Sequence, residues 1–305
     1  MMNVTFRQFR YFDALARQGH FGRAADLCAI SQPALSMQIR ELEEALGAAL
    51  VERRARQIRL TRFGEEILPR VREILRAVED LGELAPAGRG RIAGRLRLGV
   101  IPTIAPYLLP RLIRDLTRET ETLEINVRET VTPRLISELE EGRLDAAILA
   151  LPVSEPGLEE VALFSEEFVL VRPEAEAGAP VPSPTDLQKM RLLLLEEGHC
   201  FRDQALSFCK LRPSPPREIM DASSLSTLVQ MVGAGIGVTL IPEMAVPVET
   251  RSAPVAIAHF GKAAPRRVIG MIWRSSNPIS EQLLALSERV RASATGSAGD
   301  VRAAP

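Results

Sequence analysis

The sequence predicts an α/β protein with an N-terminal all-α winged helix-turn-helix, a linker helix and a bilobal domain of two Rossmann-like α/β lobes. Three observations support this prediction. Helix signals fill the start of the chain, a heptad-like apolar seam follows, and strand and helix signals alternate over the rest. The length of 305 residues also exceeds what one compact domain usually holds, so we expect more than one domain.

The composition is ordinary for a globular protein, with 46% hydrophobic and 25% charged residues, which argues against a largely disordered chain. No apolar run is long enough for a membrane span, and the first residues lack the apolar core of a signal peptide. We therefore expect a cytoplasmic protein with no membrane partner. Three cysteines exclude a disulfide scaffold, and three histidines without clustered cysteines predict no metal site and no cofactor.

The charge is distributed unevenly along the chain. Residues 1–100 carry 17 Arg against 12 Asp and Glu, whereas the remainder is acidic, and the net charge is −1. A basic N-terminal third on an acidic remainder is typical of a polyanion-binding module attached to a domain with another task.

The first 60 residues contain clear helix boundaries. Thr5 and Gln8 form a capping box that opens a first helix, and Gly19 ends it. Ser31 is the expected N-cap of a third helix, which Gly47 ends. A short second helix lies between them, so the second and third helices form a helix-turn-helix.

The third helix has one apolar and one polar face, since Leu35, Ile39, Leu42 and Leu46 recur at helical spacing. The polar face of this helix predicts that it enters the major groove of DNA. The basic segment after it, with a strand expected at 57–60, predicts a wing over the DNA backbone or the minor groove. A plain helical bundle with solvated polar faces is the alternative. The candidate DNA contacts are Gln32, Pro33, Ser36 and Arg40 on the helix and Arg53 and Arg54 in the wing.

This segment resembles the winged helix-turn-helix of LysR-type transcription regulators. The resemblance implies double-stranded promoter DNA as a partner and RNA polymerase as a further one. Cys28 lies near the buried face of the second helix, which favours a core residue over a reactive thiol. The matching residues are Phe9, Phe12, Phe21, Ala24-Ala25, Ser31 to Ser36, Ile39, Leu42-Glu43, Leu46-Gly47, Leu50, Arg53 and Leu60-Thr61.

An apolar seam then runs through residues 63, 67, 71, 74, 78 and 81 at spacings of three and four, which favours a dimerising helix. Packing of this seam on its own domain is the alternative. The segment 85–90 is a predicted hinge. Because LysR-type regulators pair through such a helix, we expect a homo-oligomer, a dimer of dimers by family resemblance.

The domain boundaries follow from these segments. We expect the winged helix-turn-helix at 1–62, the linker at 63–90 and an effector domain at 91–305. Lobe I is expected at about 91–167 and 270–295, lobe II at about 168–269, and a flexible tail at 296–305. The order strand, helix, strand, helix, strand over 96–149 predicts a parallel sheet with its ligand site at the carboxyl ends of the strands. The domain resembles the effector domain of LysR-type regulators, itself similar to bilobal solute-binding proteins.

Two cysteines in the second half define the most informative segment. Cys200 follows an apolar strand and lies near the start of a predicted helix, where the helix dipole and Arg202 favour a thiolate. Cys209 is nine residues further, so in a continuous helix the two Cα atoms lie about 13 Å apart along the axis. A disulfide needs a Cα separation of roughly 4.4–6.8 Å. Either the pair is a conformational switch or both cysteines are structural.

The run Gly198-His199-Cys200, Arg202 to Ala205 and Phe208-Cys209 resembles the redox segment of hydrogen-peroxide-sensing LysR-type regulators. The resemblance implies a transcription regulator, not an enzyme, in which Cys200 attacks hydrogen peroxide, Cys209 closes a disulfide and a dithiol reductant reopens it. A regulator controlled by a small molecule in the inter-lobe cleft and a thiol peroxidase enzyme are the alternatives. The implied peroxide-pocket residues are Thr103, Thr132, His199, Asp203 and Arg267, with Asp203 orienting the basic groups.

Overall fold

The computed structural model of the chain describes residues 4–53, 58–84, 94–119, 123–209, 221–261, 264–295 and 302–303. The chain divides into two compact units, Met1–Ala85 and Pro86–Pro305. Over these described ranges, no helix is both long and apolar enough to cross a membrane. The predicted hinge at 85–90 and Arg54 of the wing lie outside the described residues.

The first unit is a winged helix-turn-helix, as predicted. A core of Phe12, Leu15, Leu35, Ile39 and Leu42 holds its helices together. The hairpin of β1 and β2 is antiparallel and pairs Val51 with Leu60. The elements are α1 (Phe6–Gln18), α2 (Phe21–Leu27), α3 (Gln32–Leu46), β1 (Val51–Arg53), β2 (Ile58–Leu60) and α4 (Arg62–Leu84).

The helix boundaries confirm the capping predictions. The Thr5 hydroxyl accepts from the Gln8 backbone while the Gln8 side chain accepts from the Thr5 backbone. Ser31 accepts from the Ala34 backbone N–H, and Gly19 and Gly47 end their helices in the left-handed conformation that glycine adopts without strain. These contacts span three or four residues, so they form wherever the local sequence allows them.

Helix α4 does not present the whole predicted seam to a partner. Val71 is buried and Phe63 and Ile67 pack beside it against the core of the same unit, whereas Ile74 and Val78 are exposed. Leu75, which lies beside the predicted seam, is buried as well. The predicted boundary at residue 62 is therefore no structural break, because the first half of the linker helix completes the core of the DNA-binding unit.

Lobe I of the second unit has the predicted parallel arrangement. Strand β3 lies between β4 and β5 and is parallel to both. Strand β11 then continues the sheet antiparallel to β5. The elements are β3 (Gly94–Val100), α5 (Ala105–Glu119), β4 (Leu123–Glu129), α6 (Thr132–Glu140), β5 (Ala146–Leu151), β11 (Arg266–Arg274) and α11 (Ser280–Thr295).

Lobe II is built on the far half of one long strand. Strand β6 (Leu158–Pro173) pairs with β11 in lobe I and with β9 and β10 in lobe II. The sequence predicted only residues 168–171 of β6, because apolar and charged side chains are mixed in the first half of this strand. The other elements are α7 (Pro184–Leu187), β7 (Leu194–Leu195), α8 (Cys200–Phe208), β8 (Asp221–Ala222), α9 (Leu225–Gly233), β9 (Thr239–Pro242), α10 (Val246–Glu249) and β10 (Val255–Ala258).

Each lobe has its own hydrophobic core. The first runs from Leu96 to Phe164 and resumes at Ile269, and the second runs from Phe168 to Ala258. The chain therefore passes between the lobes through β6 and returns through β11, which are paired with each other at that point. Two adjacent strands form the connection between the lobes.

The predicted flexible tail at 296–305 differs from the structure at two residues. Arg302–Ala303 forms a short strand, β12, that pairs antiparallel with Ser165 and Phe164 of β6. The other residues of that segment lie outside the described ranges.

Candidate functional site

A narrow pocket lies where three helices of the second unit begin. The loop from β3 into α5, the start of α6 and the start of α8 supply its walls. Positions after parallel strands and at helix starts leave backbone N–H groups unpaired, which favours negative charge there. The lining residues are Ile101, Pro102, Thr103, Val131, Thr132, His199, Cys200 and Phe201.

Arg267 lies beside this pocket, fully buried, and is held by Glu166, whose side chain is equally buried. The guanidinium Nε donates to Glu166 Oε1 at 2.8 Å, and Nη2 lies 2.6 Å from the same oxygen. Its Nη1 donates to Thr103 Oγ1 at 2.8 Å, and Nη2 donates to the Thr103 carbonyl at 3.1 Å. Burial raises the pKa of Glu166, and the Arg267 guanidinium opposes that rise.

Two aromatic rings complete the surroundings of Arg267. Its guanidinium carbon lies 5.9 Å from the Phe168 ring centre and 5.5 Å from that of Phe201, and these rings lie 4.8 Å apart. A guanidinium over an aromatic face is stabilised by the ring quadrupole. Because Phe201 follows Cys200 directly, this contact fixes the start of α8 next to the cation.

His199 and Thr132 bring two further polar side chains into the pocket. His199 is the N-cap residue of α8 and is buried, and burial lowers the pKa of its imidazole while Glu196 opposes this. Thr132 is the first residue of α6, and its buried hydroxyl has no hydrogen-bond partner among the described residues. A neutral imidazole and an unpartnered hydroxyl can each donate to or accept from a small polar ligand.

The two cysteines occupy different surroundings on one helix. Cys200 is the first residue of α8, is half-buried and packs against the core of lobe I. Cys209 follows the last helical residue and lies buried in the core of lobe II, where burial raises the pKa of its thiol to about 11. The helix is continuous between them, so the two residues lie at opposite ends and their Cα atoms are about 13 Å apart along the axis.

Asp203, which was predicted to orient the basic groups, is not among the described residues that hold Arg267. It lies exposed on α8, outside the lining of the pocket, and the carboxylate that orients the basic group is Glu166. The family resemblance implied this role for Asp203. Glu166 is 101 residues from Arg267 in sequence and meets it only as the paired residue on the neighbouring strand.

The sequence contains a signal for the pairing of Glu166 with Arg267. Glu166 and Glu167 directly precede the apolar run at 168–171, and Arg266 and Arg267 directly precede that at 268–272. In the antiparallel pair β6–β11 they stand opposite each other, Arg266 with Glu167 and Arg267 with Glu166. Two acidic and two basic residues at matching strand positions therefore indicate cross-strand ion pairs.

The candidate DNA contacts on α3 lie away from the buried stripe of that helix. Gln32, Pro33 and Arg40 are exposed on α3 and Ser36 is half-buried, while the apolar stripe of the helix is buried. Arg53 belongs to β1, and its side chain lies outside the part of the chain that the structure describes. His20 caps α2 by accepting from the Gly22 N–H at 3.0 Å.

Cys28 ends α2 and packs against the core of the first unit, where burial raises its thiol pKa. In the portion of the chain with described coordinates, no group of three or more His, Cys, Asp and Glu side chains is placed to hold a metal ion.

Two family models match the chain and together cover most of it. Residues 6–65 match the bacterial regulatory helix-turn-helix protein of the lysR family, and residues 89–295 match the LysR substrate binding domain. The DNA-binding transcriptional dual regulator OxyR of Escherichia coli K12 is 41% identical over 296 residues, 96% of this chain and 97% of that one. A probable hydrogen peroxide-inducible genes activator of Streptomyces viridosporus is 44% identical over 275 residues, 89% of this chain and 88% of that one.

Solved structures agree with these relatives. A full-length cysteine-to-aspartate mutant of Pseudomonas aeruginosa OxyR has a TM-score of 0.74 at 36% identity, covering 95% of this chain and 98% of that one. An H2O2-bound cysteine-to-serine mutant of Corynebacterium glutamicum OxyR has a TM-score of 0.67 at 35% identity, covering 97% and 94%. The match extends over both units and every lobe, and the chain therefore belongs to the LysR family of DNA-binding transcription regulators, in its OxyR group.

Proposed function

We propose that this regulator senses hydrogen peroxide through a reversible Cys200–Cys209 disulfide and thereby controls peroxide-defence genes. The observation that carries the proposal is the pocket in which Cys200 meets Thr103, Thr132 and His199 beside the buried Arg267. The similarity to OxyR proteins, one of them solved with H2O2 bound, supports the same ligand.

The chemistry needs a thiolate, a peroxide and a group that stabilises the departing oxygen. The Cys200 thiolate attacks one peroxide oxygen, the S–O bond forms as the O–O bond breaks, and hydroxide leaves and takes a proton to become water. Sulfur loses two electrons and becomes a sulfenic acid, which then condenses with the Cys209 thiol and releases a second water. Thr103, Thr132 and His199 surround the two oxygens, and Arg267 supplies positive charge to the site.

Closing the disulfide requires a change of conformation. Cys200 and Cys209 lie at opposite ends of α8, far outside the Cα separation that a disulfide allows, so the helix must unwind. Unwinding draws Phe201 from Arg267 and Cys209 from the core of lobe II. A local oxidation thereby becomes a rearrangement of the effector domain, which is what a switch requires.

For the DNA-binding unit we propose that α3 enters the major groove. Gln32 at its start pairs with base edges, with Pro33 and Ser36 beside it, while Arg40, Arg53 and Arg54 neutralise phosphates. We also propose that the protein acts as a dimer of dimers in the cytoplasm, contacts RNA polymerase and is reset by a dithiol reductant. The chemistry at Cys200 then serves signalling and is not the turnover of an enzyme.

The test combines footprinting with thiol analysis. Reduced, peroxide-treated and dithiothreitol-reversed protein is footprinted on the DNA upstream of its own gene, and the thiols are counted by mass spectrometry. The footprint should change on oxidation, revert with dithiol and stay constant in Cys200→Ser, while the control Cys28→Ser behaves as the unchanged protein. If stoichiometric peroxide leaves Cys200 and Cys209 both free, the proposal fails.

A further inference from the structure

The buried ion pair of Arg267 and Glu166 has a geometry that constrains the pocket beyond supplying charge. Both side chains are fully buried, and the two residues are direct partners on β11 and β6, where the chain passes between the lobes. A pair this deep is seldom a net source of stability, since the desolvation of both ions offsets their attraction. Because the ion pair lies next to the candidate site, we interpret it as part of the function of that site.

Glu166 determines where the remaining N–H groups of Arg267 point. The guanidinium is planar, and its Nε and Nη2 are directed to Glu166 Oε1. Nη1 is then aimed at the Thr103 hydroxyl, 2.8 Å away, and Nη2 also reaches the Thr103 carbonyl. Phe168 and Phe201 prevent the guanidinium from tilting out of this plane.

This contact decides which way the Thr103 hydroxyl donates. An arginine has donors only, so Thr103 Oγ1 must accept from Nη1. The single hydroxyl hydrogen then points elsewhere, and no protein acceptor for it is found in the described part of the chain. Thr103 lines the pocket, so its hydrogen is left for a molecule bound there.

We infer that Glu166 is a positioning residue for peroxide reduction: by holding Arg267, it makes Thr103 a donor to the leaving oxygen of the peroxide. The inference rests on the proposed function. As the Cys200 sulfur attacks one oxygen and the O–O bond breaks, the other oxygen leaves with the electron pair as hydroxide. The Thr103 hydroxyl donates a hydrogen bond to that oxygen, and water forms when the hydroxide takes a proton from solvent.

The role predicts selectivity among oxidants. Hydroxide is a poor leaving group, so its departure from hydrogen peroxide depends on a donor placed at the departing oxygen. Peracetic acid releases acetate, a far better leaving group, and needs that donor much less. Alkylation by iodoacetamide involves neither oxygen and reports only the thiolate and its accessibility.

The experiment measures three rates at Cys200 in a Cys209→Ser background, so that only the first step is followed. These are oxidation by hydrogen peroxide, oxidation by peracetic acid and alkylation by iodoacetamide, each read by mass spectrometry. Glu166→Gln should lower the hydrogen peroxide rate about tenfold or more, with much smaller changes in the other two rates. Glu167→Gln, on the exposed neighbouring pair with Arg266, is the matched control and should change none of them.

A double-mutant cycle separates positioning from general damage. Thr103→Val removes the donor itself, so Glu166→Gln should add no further loss of the hydrogen peroxide rate in that background. Fluorescence of the single, buried Trp273 checks that each variant is folded. If Glu166→Gln does not fold, Glu166→Asp keeps the charge on a shorter side chain and should show an intermediate loss.

The inference is overturned if folded Glu166→Gln (or, in its place, Glu166→Asp) keeps the hydrogen peroxide rate. Equal slowing of all three reactions, or losses that add in the double variant, would also overturn it, because either result means a general structural role. Failure of the proposed function looks different. In that case Cys200 of the otherwise unchanged protein reacts with hydrogen peroxide no faster than free cysteine.

Discussion

At the residue scale, the two thiols of the proposed disulfide have opposite surroundings. Cys209 is enclosed in the core of lobe II, and its backbone carbonyl accepts from the Gln188 amide at 2.8 Å. Cys200 stands half-buried at the start of α8 and lines the pocket. The structure thus gives the two thiols of the proposed disulfide different accessibility, and the difference is measurable.

We predict that alkylation of reduced protein by iodoacetamide modifies Cys200 well before Cys209. Burial raises the pKa of Cys209 to about 11, so at pH 8 only about one Cys209 in a thousand is a thiolate. Peptide mass spectrometry of a Cys28→Ser protein gives both rates, and addition of urea should bring them together. Equal rates in the absence of denaturant would contradict the burial of Cys209.

His199 should make the stability of the effector domain depend on pH. Burial lowers the pKa of its imidazole, so between that value and about 6.5 the unfolded chain binds the proton and the folded protein does not. The contribution of His199 to the unfolding free energy is fully present above pH 6.5. It is lost as the pH falls through this window, by at most about 1.4 kcal/mol per pH unit. Glu196 opposes the shift but does not reverse it.

The measurement is urea unfolding followed by Trp273 fluorescence, since the only tryptophan is buried in lobe I. His199→Asn should flatten the decrease in unfolding free energy between pH 7 and pH 5. An unchanged slope in His199→Asn would show that the buried imidazole does not set this dependence.

At the element scale, helix α4 divides its apolar residues between two tasks. The side of α4 that carries Val71 and Leu75 completes the core of the DNA-binding unit, while Ile74 and Val78 are exposed. Exposed apolar residues at helical spacing are suited to pack against the same helix of a second copy of the chain. The heptad pattern alone placed Val71 and Ile74 in one seam, which the structure does not support.

We predict that Ile74→Asp and Leu75→Asp have different effects. Ile74→Asp should weaken self-association, measured by sedimentation, with little change in the melting temperature, because the side chain is exposed. Leu75→Asp should destabilise the DNA-binding unit by about 2–5 kcal/mol, measured by circular dichroism, because it empties and charges a core position. The reverse pattern would mean that Leu75, not Ile74, faces the partner.

Helix α3 and the wing should contribute differently to DNA binding. Gln32→Ala should change base preference, because the side chain is exposed at the start of α3, the end suited to reach base edges. Arg53→Ala should weaken binding to all sequences alike and reduce the slope of log K against log salt by about one. Binding titrations at several salt concentrations, on matched and altered sites, separate the two effects. A Gln32→Ala protein with unchanged affinity and preference would exclude this docking.

At the scale of the whole effector domain, α8 carries both cysteines of the proposed disulfide and contacts both lobes. Its first residue packs on lobe I, and the residue that follows its last turn lies in the core of lobe II. A disulfide between them cannot form while the helix is intact. Oxidation must therefore release contacts in both lobes at once.

We predict that the backbone amides of α8 lose protection from hydrogen exchange on oxidation and regain it with dithiothreitol. Unwinding removes the helical hydrogen bonds that slow exchange. Hydrogen-exchange mass spectrometry on the full chain gives the readout, and β3 and β5, in the core of lobe I, serve as internal references that should stay protected. Full protection of α8 in protein with a proven Cys200–Cys209 bridge would contradict the unwinding.

Much of the fold was determined by the sequence by itself. The caps at Thr5, Ser31, Gly19 and Gly47 involve neighbours within three or four residues, and the parallel order of β3, β4 and β5 follows from strand and helix periods. Short-range hydrogen bonds and hydrophobic periodicity need no distant partner, so they can be deduced from the chain alone. The resemblance to LysR-type regulators likewise rested on residues that are close in sequence.

Three features depend on contacts that form only in the folded chain: which carboxylate holds Arg267, which linker residues are exposed and how far β6 extends. Glu166, and not Asp203, contacts Arg267 because strand pairing brings together residues 101 apart, and Leu75 is buried because α4 packs on α1. In each case the energy depends on a desolvated contact between distant segments. A local sequence pattern does not show which distant residues come into contact, and the folded chain does.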